Sequence, residues 1–153
     1  MLALMIDFAN LMLAALLAGA LFGAWLFLNP RGLDASSYIT VQQQGIRTMN
    51  RAMPALGAAT ILVTIAAAIL RRGSHAQPLL LTAAACFVAI GLITRFLNQP
   101  INAIVITWRV ELPPSNWTAL RDQWWRWHVI RFVLGLVALS LLIAATLMRG
   151  WGG

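Results

Sequence analysis

Residues 78–102 run PLLLTAAACFVAIGLITRFLNQPIN. From Leu79 to Ile93 there is no charged side chain, and then Arg95, Asn98, Gln99 and Asn102 arrive together around Pro100. A hydrocarbon core about 30 Å thick takes roughly 20 apolar residues of helix to cross. The stretch therefore reads as a membrane span over about 79–98 whose last turns turn polar where the bilayer ends. Three more stretches meet the same length test: about 8–28, 53–70 and 129–148. Composition agrees, with 61% hydrophobic and 10% charged residues among 153, against about 45–50% and 25% in a soluble domain. The expected fold is all-α, a single four-helix transmembrane bundle over residues 1–153.

The same counts exclude a disordered chain and a disulfide scaffold, since Cys86 is the single cysteine. Ala18-Gly19-Ala20 resembles a signal-peptidase site, but no basic segment precedes it and the apolar run continues to Leu28, so an uncleaved span is expected. Four spans place both termini on one side and the two long connections, about 29–52 and 98–127, on the other. Asp34-Ala35-Ser36-Ser37 looks like a helix start, and Pro113-Pro114-Ser115-Asn116 like a stop followed by an N-cap. The second and fourth helices are thus expected to begin well outside the membrane. The net charge of +7 comes from eleven basic residues, all Arg. Arg31, Arg47, Arg51, Arg109, Arg121 and Arg126 lie in the long connections, which by the positive-inside rule makes them cytoplasmic and leaves the termini outside. Arg149 and Trp151 read as interfacial anchors. The expected location is a bacterial inner (plasma) membrane, with membrane lipid rather than nucleic acid as the partner.

Polar residues recur on three helix faces at this same end. Arg95, Asn98, Gln99 and Asn102 fall within one arc at i, i+3, i+4 and i+7. Pro100 frees the Phe96 carbonyl, and a kink there would let Asn98 or Asn102 satisfy exposed backbone groups. Trp124, His128 and Arg131 share an arc of the fourth helix, continued by Gly135. Gln43, Arg47, Asn50 and Pro54 share one on the second, with Arg51 beside it. Any single Arg here is explained by snorkelling to headgroups. Asn and Gln have no stem to snorkel, so the set is better placed in the bundle interior, either locking helices together or lining a wet cavity. The five Trp from Trp108 to Trp127 fit an interfacial belt. Trp117 or Trp124 could equally wall an aromatic-ligand pocket that the positive charge suits to an acidic substrate.

The chemistry available is narrow. His75 and His128 are the only histidines, on opposite sides, and Asp7, Asp34, Glu111 and Asp122 form no pair at ligand spacing, so no metal site or cofactor is expected. Asp7 and Asn10 read as a helix-start device. His128 beside Arg131 would stay neutral and could accept a proton, with Arg and Asn stabilising the anion formed.

The elements Asn50-Arg51-Ala52-Met53-Pro54 and Asn98-Gln99-Pro100-Ile101-Asn102, with Trp117, Arg121, Trp124, His128 and Arg131 after them, resemble a family of small four-helix membrane proteins related to anthrone oxygenase. The resemblance covers most of the chain. It implies oxidation of an aromatic ketone at an activated methylene to a quinone by dioxygen, without metal or flavin. The family often carries Asn where this chain has His128, so the resemblance does not assign a base there.

The expected function is then that of a cofactor-independent oxygenase acting on a hydrophobic aromatic, anthrone- or quinone-like molecule. Its site would comprise His128, Asn98, Asn102 and Arg131 as catalytic groups, with Arg47, Asn50, Arg51, Arg95, Trp117 and Trp124 binding substrate. The alternative is a non-catalytic accessory protein whose polar residues lock helices or hold a lipid headgroup. A transporter ranks last, because the middle of every span is plain Leu, Ala, Val and Ile and no inverted repeat is visible.

Overall fold

The computed structural model describes residues 1–148, apart from the side chain of Arg51. Arg149 and Trp151, the expected anchors, lie outside the described residues. The chain forms α1 (Leu2–Phe27), α2 (Ala35–Leu70), α3 (Gln77–Ile93), a π-helical turn (Thr94–Asn98), α4 (Gln99–Val105) and α5 (Trp117–Leu147). Among the described residues, four helical stretches are long and apolar enough to cross a membrane: Leu2–Phe27, Ala52–Leu70, Gln77–Val105 and Trp117–Leu147. The protein is an all-α, integral membrane four-helix bundle. Neighbours around the ring are α1–α2, α2–α3, α3–α5 and α5–α1.

Local chemistry explains the helix ends. Asp34 caps α2 by accepting the Ser37 amide at 2.7 Å, and that bond holds its carboxyl below the usual range. α2 has 36 residues, about 54 Å of helix, of which only Ala52–Leu70 is span-like. Its first half therefore projects beyond the membrane, as does the start of α5.

Lipid offers helices no hydrophobic reason to associate, so close packing of small side chains must hold them. Ala14, Ala83 and Ala138 are 0% exposed and sit with Leu17, Phe87 and Leu142 in the terminal half of the bundle. Phe8, Leu62, Leu92, Phe96, Val133 and Leu147 point outward, as lipid-facing residues should. A second apolar cluster, Ile46, Ile101, Val105 and Trp124, closes the loop end. The polar site lies between the two clusters.

Three expectations change. α1 begins at Leu2, with no side-chain cap, because residues 2–6 are apolar and nothing breaks the helix there. Asp7 and Asn10 are accordingly inside the helix and buried, joining α1 to α2: Asp7 accepts from the Arg71 guanidinium, and Asn10 Oδ1 from the Thr64 hydroxyl at 2.7 Å. The third crossing runs on past residue 98 to Val105. Before Pro100 the helix widens, the Gln99 amide bonding the Thr94 carbonyl five residues back, so the missing proline N–H is absorbed by a π-turn.

The Asp7 and Arg71 side chains are only 11% and 14% exposed. Breaking such a pair strands a charge. We expect Asp7→Ala to lower unfolding stability in mixed micelles by about 3 kcal/mol, and Asp7→Leu combined with Arg71→Met to recover most of it.

Candidate functional site

Where α3 gives way to the π-turn and α4, three side chains tie it to α5. Asn98, 1% exposed, donates from Nδ2 to the Trp124 carbonyl at 3.1 Å. The Trp124 indole N–H returns a bond to Asn102 Oδ1 at 2.8 Å. Arg131 donates from Nη1 to the Thr94 hydroxyl at 3.0 Å. Because Asn98 and Asn102 lie four residues apart across Pro100, they hold Trp124 from its backbone and from its ring at once. His128, one turn further on, stacks on Trp124 with centroids 5.2 Å apart and planes 4° from parallel, and on Trp125 at 5.7 Å.

The second guanidinium nitrogen of Arg131 lies 3.0 Å from His128 Nδ1. Arginine can only donate, so Nδ1 accepts and the neutral ring carries its hydrogen on Nε2. His128 is 1% exposed and its Nε2 makes no well-formed hydrogen bond, although the Leu21 backbone of α1 lies within reach of the imidazole. Nε of Arg131 and Oδ1 of Asn98 are likewise buried without partners. Among the described residues no carboxylate lies within ion-pair distance of Arg131. Gly135, one turn beyond, lets α1 close against α5: a Cβ there would stand 3.0 Å from Leu21 Cδ1.

Two cavities meet at these groups. The smaller, of about 70 Å³, has Gln42, Asn102, Trp124, His128 and Arg131 among its otherwise largely apolar lining. An apolar one of about 480 Å³ runs toward the bundle middle, between α2 and α3, past Gly57, Ile61, Phe87 and Ile90. Leu21, Met53, Pro54, Thr94, Gln99 and Arg131 line both, so the two form a chamber with a charged head.

The structure thus brings together Asn98, Asn102, Trp124, His128 and Arg131. Asn50 sits at the rim, where its Oδ1 accepts from Gln99 at 3.0 Å. Arg95 is exposed at the edge of the apolar cavity, and its guanidinium lies over the Phe96 ring. Arg47 is exposed and lines neither cavity, and the side chain of Arg51 is outside the described set. Trp117 lies apart, between Tyr38 and the Arg121 guanidinium. Gln43 turns away from the cavities and donates to the Val105 and Trp108 carbonyls at 3.0 and 2.9 Å, closing the end of α4. On α2 the smaller cavity is lined by Gln42, Gly45, Ile46, Met49, Asn50, Met53 and Pro54, so Asn50 and Pro54 of the stripe the sequence suggested reach it and Gln43 and Arg47 do not. Thr94 was not singled out by sequence; its signal was a hydroxyl one residue before Arg95.

Fold and site define a membrane-embedded helical protein with an apolar chamber ending on a cation. The chain belongs to the anthrone oxygenase family, whose model matches residues 44–141. That match takes in α2 from its exposed half onward, the π-turn and most of α5, and so every group in the polar cluster. No curated protein and no solved structure matches the chain.

Tyr38 lies outside the spans, 2% exposed, with its hydroxyl unpartnered, and burial pushes its pKa above the ordinary value. It is the sole tyrosine. Raising the pH of the folded protein past about 10 should give no tyrosinate absorbance, whereas the unfolded chain ionises there. The stability this neutral phenol contributes is full below about pH 10 and is lost as pH rises above it.

Proposed function

We propose that the chain is a cofactor-independent oxygenase of a hydrophobic aromatic ketone of the anthrone type. The observation that carries this reading is Arg131: a guanidinium in the wall of an apolar chamber, with no carboxylate partner among the described residues. A charge so placed is costly in a membrane and marks function by default. An anion brought by a ligand would relieve it.

The chamber suits the rest of such a molecule. An engineered apolar cavity of about 150 Å³ takes one benzene ring, and the 480 Å³ here is of the size that three fused rings need. With the rings there, the ketone oxygen meets the Arg131 guanidinium. Loss of a proton from the ring methylene to water leaves an anion whose charge is delocalised onto that oxygen. Donors fixed in advance favour the anion over the neutral ketone, which is how electrostatic preorganisation lowers a barrier. The carbanion centre then reacts with dioxygen, and protonation gives a hydroperoxide. Loss of water from it leaves a carbonyl: one oxygen atom stays in the quinone, and the other departs as water with the two methylene hydrogens.

His128 is a positioning residue here rather than the base, since its acceptor nitrogen is occupied by Arg131 and helps to orient the guanidinium. Asn98 and Asn102 are positioning residues, engaged with Trp124. Those same bonds support the other reading, in which the cluster only locks helices. The two readings differ at Arg131. In oxygen-uptake assays of purified protein supplied with anthrone, Arg131→Met should lose the rate above autoxidation by at least about 100-fold, while its thermal midpoint in detergent holds or rises. Loss of stability with unchanged uptake would instead make Arg131 a lock.

A further inference from the structure

Glycines at a seam between membrane helices ordinarily let backbones approach closely. At the α2–α3 seam they do the opposite. A Cβ built on Gly57 meets nothing within 4 Å, and one on Gly91 meets only Ile61 Cδ1, at 4.0 Å. Both line the large apolar cavity, as do Pro54, Ala58 and Arg95, and of these Pro54, Ala58, Gly91 and Arg95 are exposed on the outside of the bundle. Gly57 and Gly91 also belong to the membrane-crossing stretches. The cavity therefore reaches the surface sideways, at a height where the surrounding medium is lipid.

We infer that the ligand enters from the bilayer through this gap between α2 and α3 and stays lodged in it, its rings against Gly57, Ala58 and Gly91 and its ionised oxygen on Arg131. The inference rests on the proposed function for the acidic, polycyclic aromatic character of the occupant. Its geometry follows from the gap. Such a molecule partitions into hydrocarbon in its neutral form, so a lateral entrance spares it a passage through water. It meets the cation only after it has entered, because Arg131 lies where the large cavity joins the smaller one. Side chains at positions 57 and 91 then decide how wide a ring system is accepted.

The test uses full-length protein in liposomes and 2-hydroxyanthraquinone as probe, whose phenol ionises and whose rings fit the chamber. Gly57→Phe and Gly91→Phe fill the gap. Gly19→Phe is the control, since Gly19 is exposed, has nothing within 4 Å of a Cβ and lines neither cavity. Probe affinity and association rate should fall by at least about tenfold in each gap variant, and stay at wild-type values in the control, with thermal midpoints unchanged. Should a phenylalanine variant not fold, Ala58→Leu narrows the same gap with a smaller side chain and should show the same loss. Wild-type binding by the folded gap variants, or no binding by the wild type, overturns the inference. Anthrone uptake measured beside it separates the two claims. A gap that controls binding in a protein that leaves anthrone unoxidised refutes the oxygenase alone, whereas oxidation that is indifferent to the gap refutes the entrance alone.

Discussion

Inside a bilayer every polar group needs a partner within the protein, and Arg131 is where this chain leaves that demand partly unmet. Its guanidinium gives one hydrogen bond to Thr94 and another to His128, both neutral, and its Nε has none. An arginine at the centre of a membrane helix costs about 2.5–3.5 kcal/mol to insert, and the fold contains a contrasting solution. At the other end of the bundle Arg71 meets Asp7 directly. The cation that holds α1 to α2 is thus neutralised, while the one that faces a cavity has no carboxylate partner among the described residues. That contrast is difficult to explain if both served only to bind helices together.

Around Arg131 the remaining polar groups act as a frame. Asn98 and Asn102 engage the two ends of Trp124, the ring of Trp124 stacks on His128, and Arg131 fixes which nitrogen of His128 bears hydrogen. The π-turn at Thr94–Asn98 places these groups, since it puts Asn98 and Asn102 toward α5 while sparing Pro100 a broken helix. Orientation is therefore supplied by uncharged side chains and charge by one residue. Removing an asparagine should loosen the frame, and removing Arg131 should empty it of its electrostatic purpose.

The sequence made much of this legible. Apolar runs of bilayer length gave the four crossings, and Asp34 gave the start of α2 because a cap bond involves only neighbours in the chain. Helical spacing correctly put Asn98, Asn102, Trp124, His128 and Arg131 at one end. It missed whatever depends on which helix lies opposite. Asp7 and Asn10 looked like a helix start because the partners that bury them, Arg71 and Thr64, are more than fifty residues away. On α2 Asn50 and Pro54 do reach the cavity, but Gln43 and Arg47 lie about 100° round the helix from Gln42 and Ile46, which line it, and only packing against the neighbouring helices fixes that rotation. The cavity itself has no sequence signature, since Gly57 and Gly91 could as well have marked tight contact.

An unneutralised Arg131 that receives an anion makes one claim that a spectrum can decide. 2-Hydroxyanthraquinone changes colour when its phenol ionises. Titrated against the protein in liposomes, the bound dye should ionise at a pH clearly below that of the dye in protein-free liposomes, and Arg131→Met should abolish the difference. A bound dye that ionises at the same pH or higher, with or without Arg131, would contradict the account.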